Sequence, residues 1–92
     1  MIAKINWLDS KMFIPDIGVK YCPIIKFTNE EPCSWSAEIN IINNDLANRN
    51  SIAEVQYLLS NASTSNICEG NRFKLLEGNR LVANGIFIKD AQ

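Results

Sequence analysis

The side chains that move protons or attack carbonyl carbon are scarce in this chain of 92 residues. There is no histidine. That removes the commonest general base, the usual partner of a serine or cysteine nucleophile, and the commonest zinc ligand. Acid–base work by paired carboxylates needs two acids converging in a cleft. The adjacent acids Glu30-Glu31 instead precede Pro32 in a turn-like stretch, where a solvated loop is expected. Cys22, Cys33 and Cys68 are odd in number, widely spaced and without a Cys-x-x-Cys pair. They are expected as buried or semi-buried free thiols rather than as a disulfide framework or a zinc site. Neither a Gly-x-x-x-x-Gly-Lys phosphate loop nor a Gly-x-Ser-x-Gly elbow occurs. The expectation is a chain that is no enzyme and takes no cofactor, metal or nucleotide.

One pattern could still do binding chemistry. Basic residues interleaved with aromatics can hold RNA, the cations on phosphate and the rings on bases. Lys20-Tyr21, Lys26-Phe27 and Arg72-Phe73-Lys74 have this form, as does Phe87-x-Lys89. With Arg80 at a turn, the candidate partner- or RNA-binding residues are Lys20, Tyr21, Lys26, Arg72, Lys74 and Arg80. The competing explanation is plain packing, because neighbours on a strand point to opposite faces and place the ring inside and the cation outside. Trp7 and Trp35 are expected in the core, although either could anchor an interface.

Charge argues for restraint. Nine lysines and arginines face ten acids, for a formal net charge of −1. This is no bulk footprint for DNA or an anionic membrane. Residues 1–8 lack the apolar stretch and cleavage site of a secretory signal, and no apolar run is long enough to span a bilayer. A cytoplasmic protein is expected, and Asn61-Ala62-Ser63 then fits the glycosylation pattern by chance. Asparagine is abundant, with twelve residues. Its clusters at 40–50 suit turns.

The elements that must carry these residues are strands. Ala3, Ile5 and Trp7 alternate with Lys4 and Asn6, the period of a half-buried strand. Residues 12–14 are a short apolar piece cut off by Pro15, with turn signals at Asp9-Ser10 and at 16–18. Residues 19–27 form a second strand, in which Pro23 signals an edge or a bulge. Residues 28–32 are turn-like. Trp35, Ala37, Ile39 and Ile41 alternate with Ser34, Ser36, Glu38 and Asn40, which predicts a third strand over 34–42. Residues 43–50 are expected as a polar loop, as are 61–66.

Residues 51–60 fit two patterns. Ala53, Val55, Tyr57 and Leu59 alternate as a strand would. Ile52, Val55 and Leu59 make a helical stripe, with Ser51 and Glu54 as a capping box. β-Branched and aromatic content favours the strand. Residues 72–76 and 80–88 then form a hairpin around Gly78-Asn79, with glycine where a type II′ turn needs positive φ. Asn84-Gly85 suggests a bulge or bend in the returning strand. Five or six short strands without helical alternation describe one all-β domain over 1–92, a sandwich or a small closed barrel.

The hairpin also carries a resemblance. Residues 73–86 are similar to the last hairpin of the third domain of bacterial elongation factor Tu, whose pattern is Glu-Gly-Gly-Arg followed by Val-Gly-x-Gly. Glu77, Gly78, Arg80, Val82 and Gly85 match in place, while Asn79 and Ala83 replace glycines. Earlier, Tyr21 and Pro23 match that family's Gly-Tyr-Arg-Pro strand, with Cys22 in place of the arginine. The resemblance implies a closed six-stranded antiparallel Greek-key barrel. The chain has no counterpart of the factor's GTPase domain, so GTP binding is not implied. With the chemistry missing, the first expectation is a non-catalytic protein-binding module of the bacterial cytosol, of accessory or immunity type. The alternative, a barrel that binds RNA such as tRNA, requires its basic residues to share one face. A ligand-binding or catalytic barrel would instead require a deep pocket with converging polar groups.

Overall fold

Alternation is the local rule that builds the structure. In the computed structural model, which describes residues 1–27, 35–58 and 67–89, strand β1 (Ile2–Trp7) buries Ala3, Ile5 and Trp7 and turns Lys4 and Asn6 outward. The other strands are β2 (Lys20–Tyr21), β3 (Ile24–Phe27), β4 (Trp35–Asp45), β5 (Asn50–Tyr57), β6 (Arg72–Glu77) and β7 (Arg80–Lys89). No helix occurs among the described residues. All pairings are antiparallel, in the order β4-β3-β6-β7-β1-β5, and β5 pairs again with β4. Six strands therefore close a barrel. Closure leaves each of its strands paired on both sides. Strands β3, β4 and β5 are successive neighbours and β1 lies beside β5, the Greek-key order.

Strand β2 stands outside the ring, paired with β4 alone. It keeps the register that β3 has on β4, so the two are halves of one path broken at Cys22-Pro23. The break follows from Pro23. Its carbonyl accepts from Ala37 N at 2.9 Å, but proline has no N–H to return. The helical alternative for residues 51–60 is excluded for the described part, because β5 buries Ser51, Ala53 and Val55 in strand alternation.

Three expectations are corrected. The thiols of Cys22 and Cys68 are free but exposed, not buried or semi-buried. Residues 43–50 are not a loop. Strand β4 runs on to Asp45 and β5 begins at Asn50, leaving a turn of residues 46–49. The asparagines are accommodated because this end of the β4–β5 ribbon is largely solvated on one side, while inside it Asn44 Oδ1 accepts from Ser51 Oγ. Nor is Gly85 a bulge. It pairs regularly with Phe73 and Ile5. The extra residues are Val82 opposite β6, Ile88 opposite β1 and Ile42 opposite β5. These bulges add the local twist that bends a sheet towards closure.

The core fills the barrel. Phe27, Phe73 and Phe87 form an aromatic cluster, with ring centroids 4.8 Å apart for Phe73 and Phe87 and 6.3 Å for Phe27 and Phe87. Ile5, Ile25, Ile39, Val55, Leu75 and Val82 pack with them. Each such side chain contributes about 1.5–3 kcal/mol by leaving water. The turn at Gly78-Asn79 is the expected one: Glu77 pairs with Arg80, and Gly78 has φ 64° while Asn79 keeps a negative φ. The expected turns at 28–32 and 61–66, the pair Glu30-Glu31, Cys33 and the Asn61-Ala62-Ser63 triplet lie outside the described residues.

Candidate functional site

The six candidate binding residues fall into three groups. Lys26 of β3 faces Lys74 of β6 directly, and Arg72 projects from the same outer face two residues along β6. Lys4 of β1 lies in the row of Arg72, across Ile86 of β7. These four cations share a face. Lys20 does not extend it as a free charge, because its Nζ sits 2.8 Å from Glu38. That pairing pushes the lysine up and holds Glu38 below the usual carboxylate range. Glu38 also accepts from Gln56 at 2.6 Å.

Tyr21 and Arg80 belong to a different cluster, centred on Glu77. The Glu77 carboxylate accepts from Tyr21 Oη at 2.6 Å and from Arg80 at 2.9 Å, and lies 2.7 Å from Lys11 Nζ. These donors, Lys11 first, hold Glu77 at about 2. Burial first, then the bond to Glu77, pushes the Tyr21 phenol well above its ordinary value. Tyr21 also meets Trp7 edge-on at 5.7 Å, and Lys11 lies 4.9 Å from the Tyr21 ring centroid. Near neutral pH, Glu77 is a poor proton acceptor and Tyr21 a poor nucleophile. The cluster does structural chemistry: it fastens the β6–β7 turn to β2 and to the segment before it. Among the described residues, no group of three His, Cys, Asp or Glu side chains is placed to hold a metal.

The segment joining β1 to β2, residues 8–19, carries the most exposed large apolar side chains among the described residues. Met12 is 78% exposed, Phe13 80% and Ile17 60%, and Leu46 of the facing 46–49 turn is 62% exposed. Single exposed apolar side chains are ordinary, but a contiguous group marks an interaction surface. Met12, Phe13, Ile14, Asp16, Leu46 and Arg49 line an open cleft of about 390 Å³.

The loop is fixed from beneath while its apolar side chains face out. Leu8 N donates to Val82 O at 2.9 Å and Ser10 Oγ to Leu81 O at 2.6 Å. Asn44 Nδ2 donates to Pro15 O at 2.9 Å, and Ile14 packs against the core. The Arg49 guanidinium donates to Leu8 O at 2.7 Å and to Lys11 O. Arg49 itself has φ 54°, the one positive φ among the described non-glycine residues. Such a backbone costs about 1–3 kcal/mol and persists where its surroundings dictate it. Beneath, Trp7 Nε1 donates to Ser51 Oγ at 2.7 Å, and Ser51 bonds Asn44, so the pin reaches the core.

Sequence reasoning missed this surface, because it marks residues 12–14 only as a short apolar piece cut off by Pro15 and assigns them no side. The available signal was its setting: residues 12–14 sit between turn signals at 9–10 and 15–18 and have no period of their own. Fold and surface together define a closed antiparallel barrel that presents a pinned apolar loop. No family model matches the chain, and neither a curated protein nor a solved structure matches it.

Proposed function

We propose that the chain is a non-catalytic protein-binding module that docks through loop 8–19. The observation that carries this reading is the pairing of exposure with restraint. Met12 and Phe13 stand in water on a backbone held by Arg49, Asn44 and Ser10. A surface fixed before binding loses little conformational freedom when a partner arrives. Aromatic side chains are also over-represented among residues that dominate interface energies. The resemblance to the third domain of elongation factor Tu enters as a fold analogy, and fold does not fix function. Photo-crosslinking in the native host tests the proposal. A photoreactive residue at Phe13 is expected to give a discrete protein adduct, and the same residue at Ser36, exposed on β4, none. Equal labelling from both positions refutes it.

A second reading rests on the basic face. Lys4, Arg72 and Lys74 project together from β1 and β6; Arg72 and Lys74 have no ion-pair partner among the described residues, and Lys4 lies within electrostatic reach of Asp45. RNA on this face would show affinity falling steeply with salt. Binding of tRNA unaffected by Lys74→Glu removes this reading.

A further inference from the structure

The charges around loop 8–19 are not balanced, and the imbalance describes the occupant. Two cations lie close to the cleft, and both are turned inward. Arg49 points its guanidinium at the carbonyls of Leu8 and Lys11, with Asp9 at 3.9 Å from its Nε. Lys11 is spent on Glu77, 2.7 Å away, and on the Tyr21 ring. Asp45 is likewise spent, on the backbone and side chain of Asn48. Asp16 is not. Asp16 is among the residues that line the cleft, its side chain is exposed, and its carboxylate has no side-chain partner among the described residues. Asp9, exposed on the same loop, is already the carboxylate partner of Arg49, so Asp16 alone carries the surplus. The cleft therefore offers Met12, Phe13 and Leu46 for apolar contact and unneutralised carboxylate at its rim.

We propose that the occupant is a short segment of another protein that carries an apolar side chain with a lysine or arginine beside it. The apolar group would fill the cleft between Phe13 and Leu46, and the cation would meet Asp16. An acidic segment would bring like charge to this rim, which disfavours it. This inference rests on the docking reading above and names the chemistry of its partner.

Random peptides displayed on phage and selected against the immobilised full chain provide the test. The variants are Asp16→Asn, Asp16→Lys and Phe13→Ser. All three change exposed side chains without hydrogen-bond partners, and thermal melts matching the parent confirm that they fold. The enriched peptides are expected to combine an apolar residue with lysine or arginine. Their affinity should fall about threefold to fivefold in Asp16→Asn, the scale of an exposed ion pair. It should fall further in Asp16→Lys, weaken with added salt, and be lost in Phe13→Ser. Peptides that need Phe13 but lack basic residues, or that ignore Asp16→Lys, overturn the inference and leave the docking reading standing. Failure to enrich any peptide, or binding indifferent to Phe13→Ser, overturns both.

Discussion

Gly85 is the position at which one added methyl group should do most damage. A β-carbon there would lie 2.8 Å from Phe73 Cε2 and closer still to Cζ and Cε1. Comfortable carbon–carbon contact is about 3.5–4.0 Å, so the nearest ring atom would have to move by roughly 1.5 Å. It has nowhere to go. Phe73 is 1% exposed and its centroid lies 4.8 Å from that of Phe87. Overpacking of this kind costs about 1–3 kcal/mol or more. Loss of glycine's freedom in the unfolded chain returns about 0.4–1 kcal/mol. Gly85→Ala should therefore destabilise the barrel by about 2 kcal/mol. Heat denaturation followed by circular dichroism should show a Tm lower by roughly 8–16 °C for a domain this size. Phe73→Leu frees the space that the methyl group needs, at its own cost of about 1–3 kcal/mol. The double variant should then be more stable than the sum of the single changes by about 1–2 kcal/mol. A Gly85→Ala protein within about 0.5 kcal/mol of the parent, or strict additivity with Phe73→Leu, refutes the argument that the ring dictates the glycine.

Three further perturbations probe the parts around the loop. Glu77 is held at about 2 in the folded chain against about 4.3 unfolded, so its contribution is present above about pH 4.3 and is lost as pH falls towards 2. Its side chain is 27% exposed, and screening reduces the effect to about 1 kcal/mol. Glu77→Gln should be less stable than the parent by that amount near neutrality and converge with it in acid, as urea titrations across pH would show. Gly78→Val forces a β-branched residue into φ 64° with no steric neighbour to blame. It should cost about 1–3 kcal/mol by denaturant melt, and a stable variant that loses binding would mean the turn is a site rather than a fold determinant. Arg49→Gly keeps the positive φ permissible and removes the guanidinium. Hydrogen exchange should then quicken at the amides of Lys11 and Val19, within loop 8–19, while Phe73 and Leu75 keep their protection. Uniform loss of protection across the barrel would show that Arg49 supports the whole fold and not the loop.

What was legible in the sequence follows from the range of each interaction. Burial along β1 and β4 depends on alternation between neighbours, so Ala3, Ile5, Ala37 and Ile39 could be placed without a structure. The turn at Gly78-Asn79 depends on two residues and was equally local. The bulge expected as one alternative at Gly85 does not occur, because the position is dictated by the ring of Phe73 on the adjacent strand. The even positions Lys20 and Lys26 do share the outer side of the β2–β3 path. Only Glu38, on a third strand, determines that one of them is spent in an ion pair. The candidate site is the extreme case. Alternation, the rule that placed the core, assigns no side to an aperiodic run such as residues 12–14, where Ile14 packs inward and Met12 and Phe13 face out. Loop 8–19 satisfies its carbonyls through Arg49 and Asn44, residues of another hairpin. Its polar backbone is thereby tied down while Met12, Phe13 and Ile17 are left in water. A short apolar run without period, between two turn signals, is the local trace such an arrangement leaves. Whether it is buried or presented depends on which distant donors reach its carbonyls.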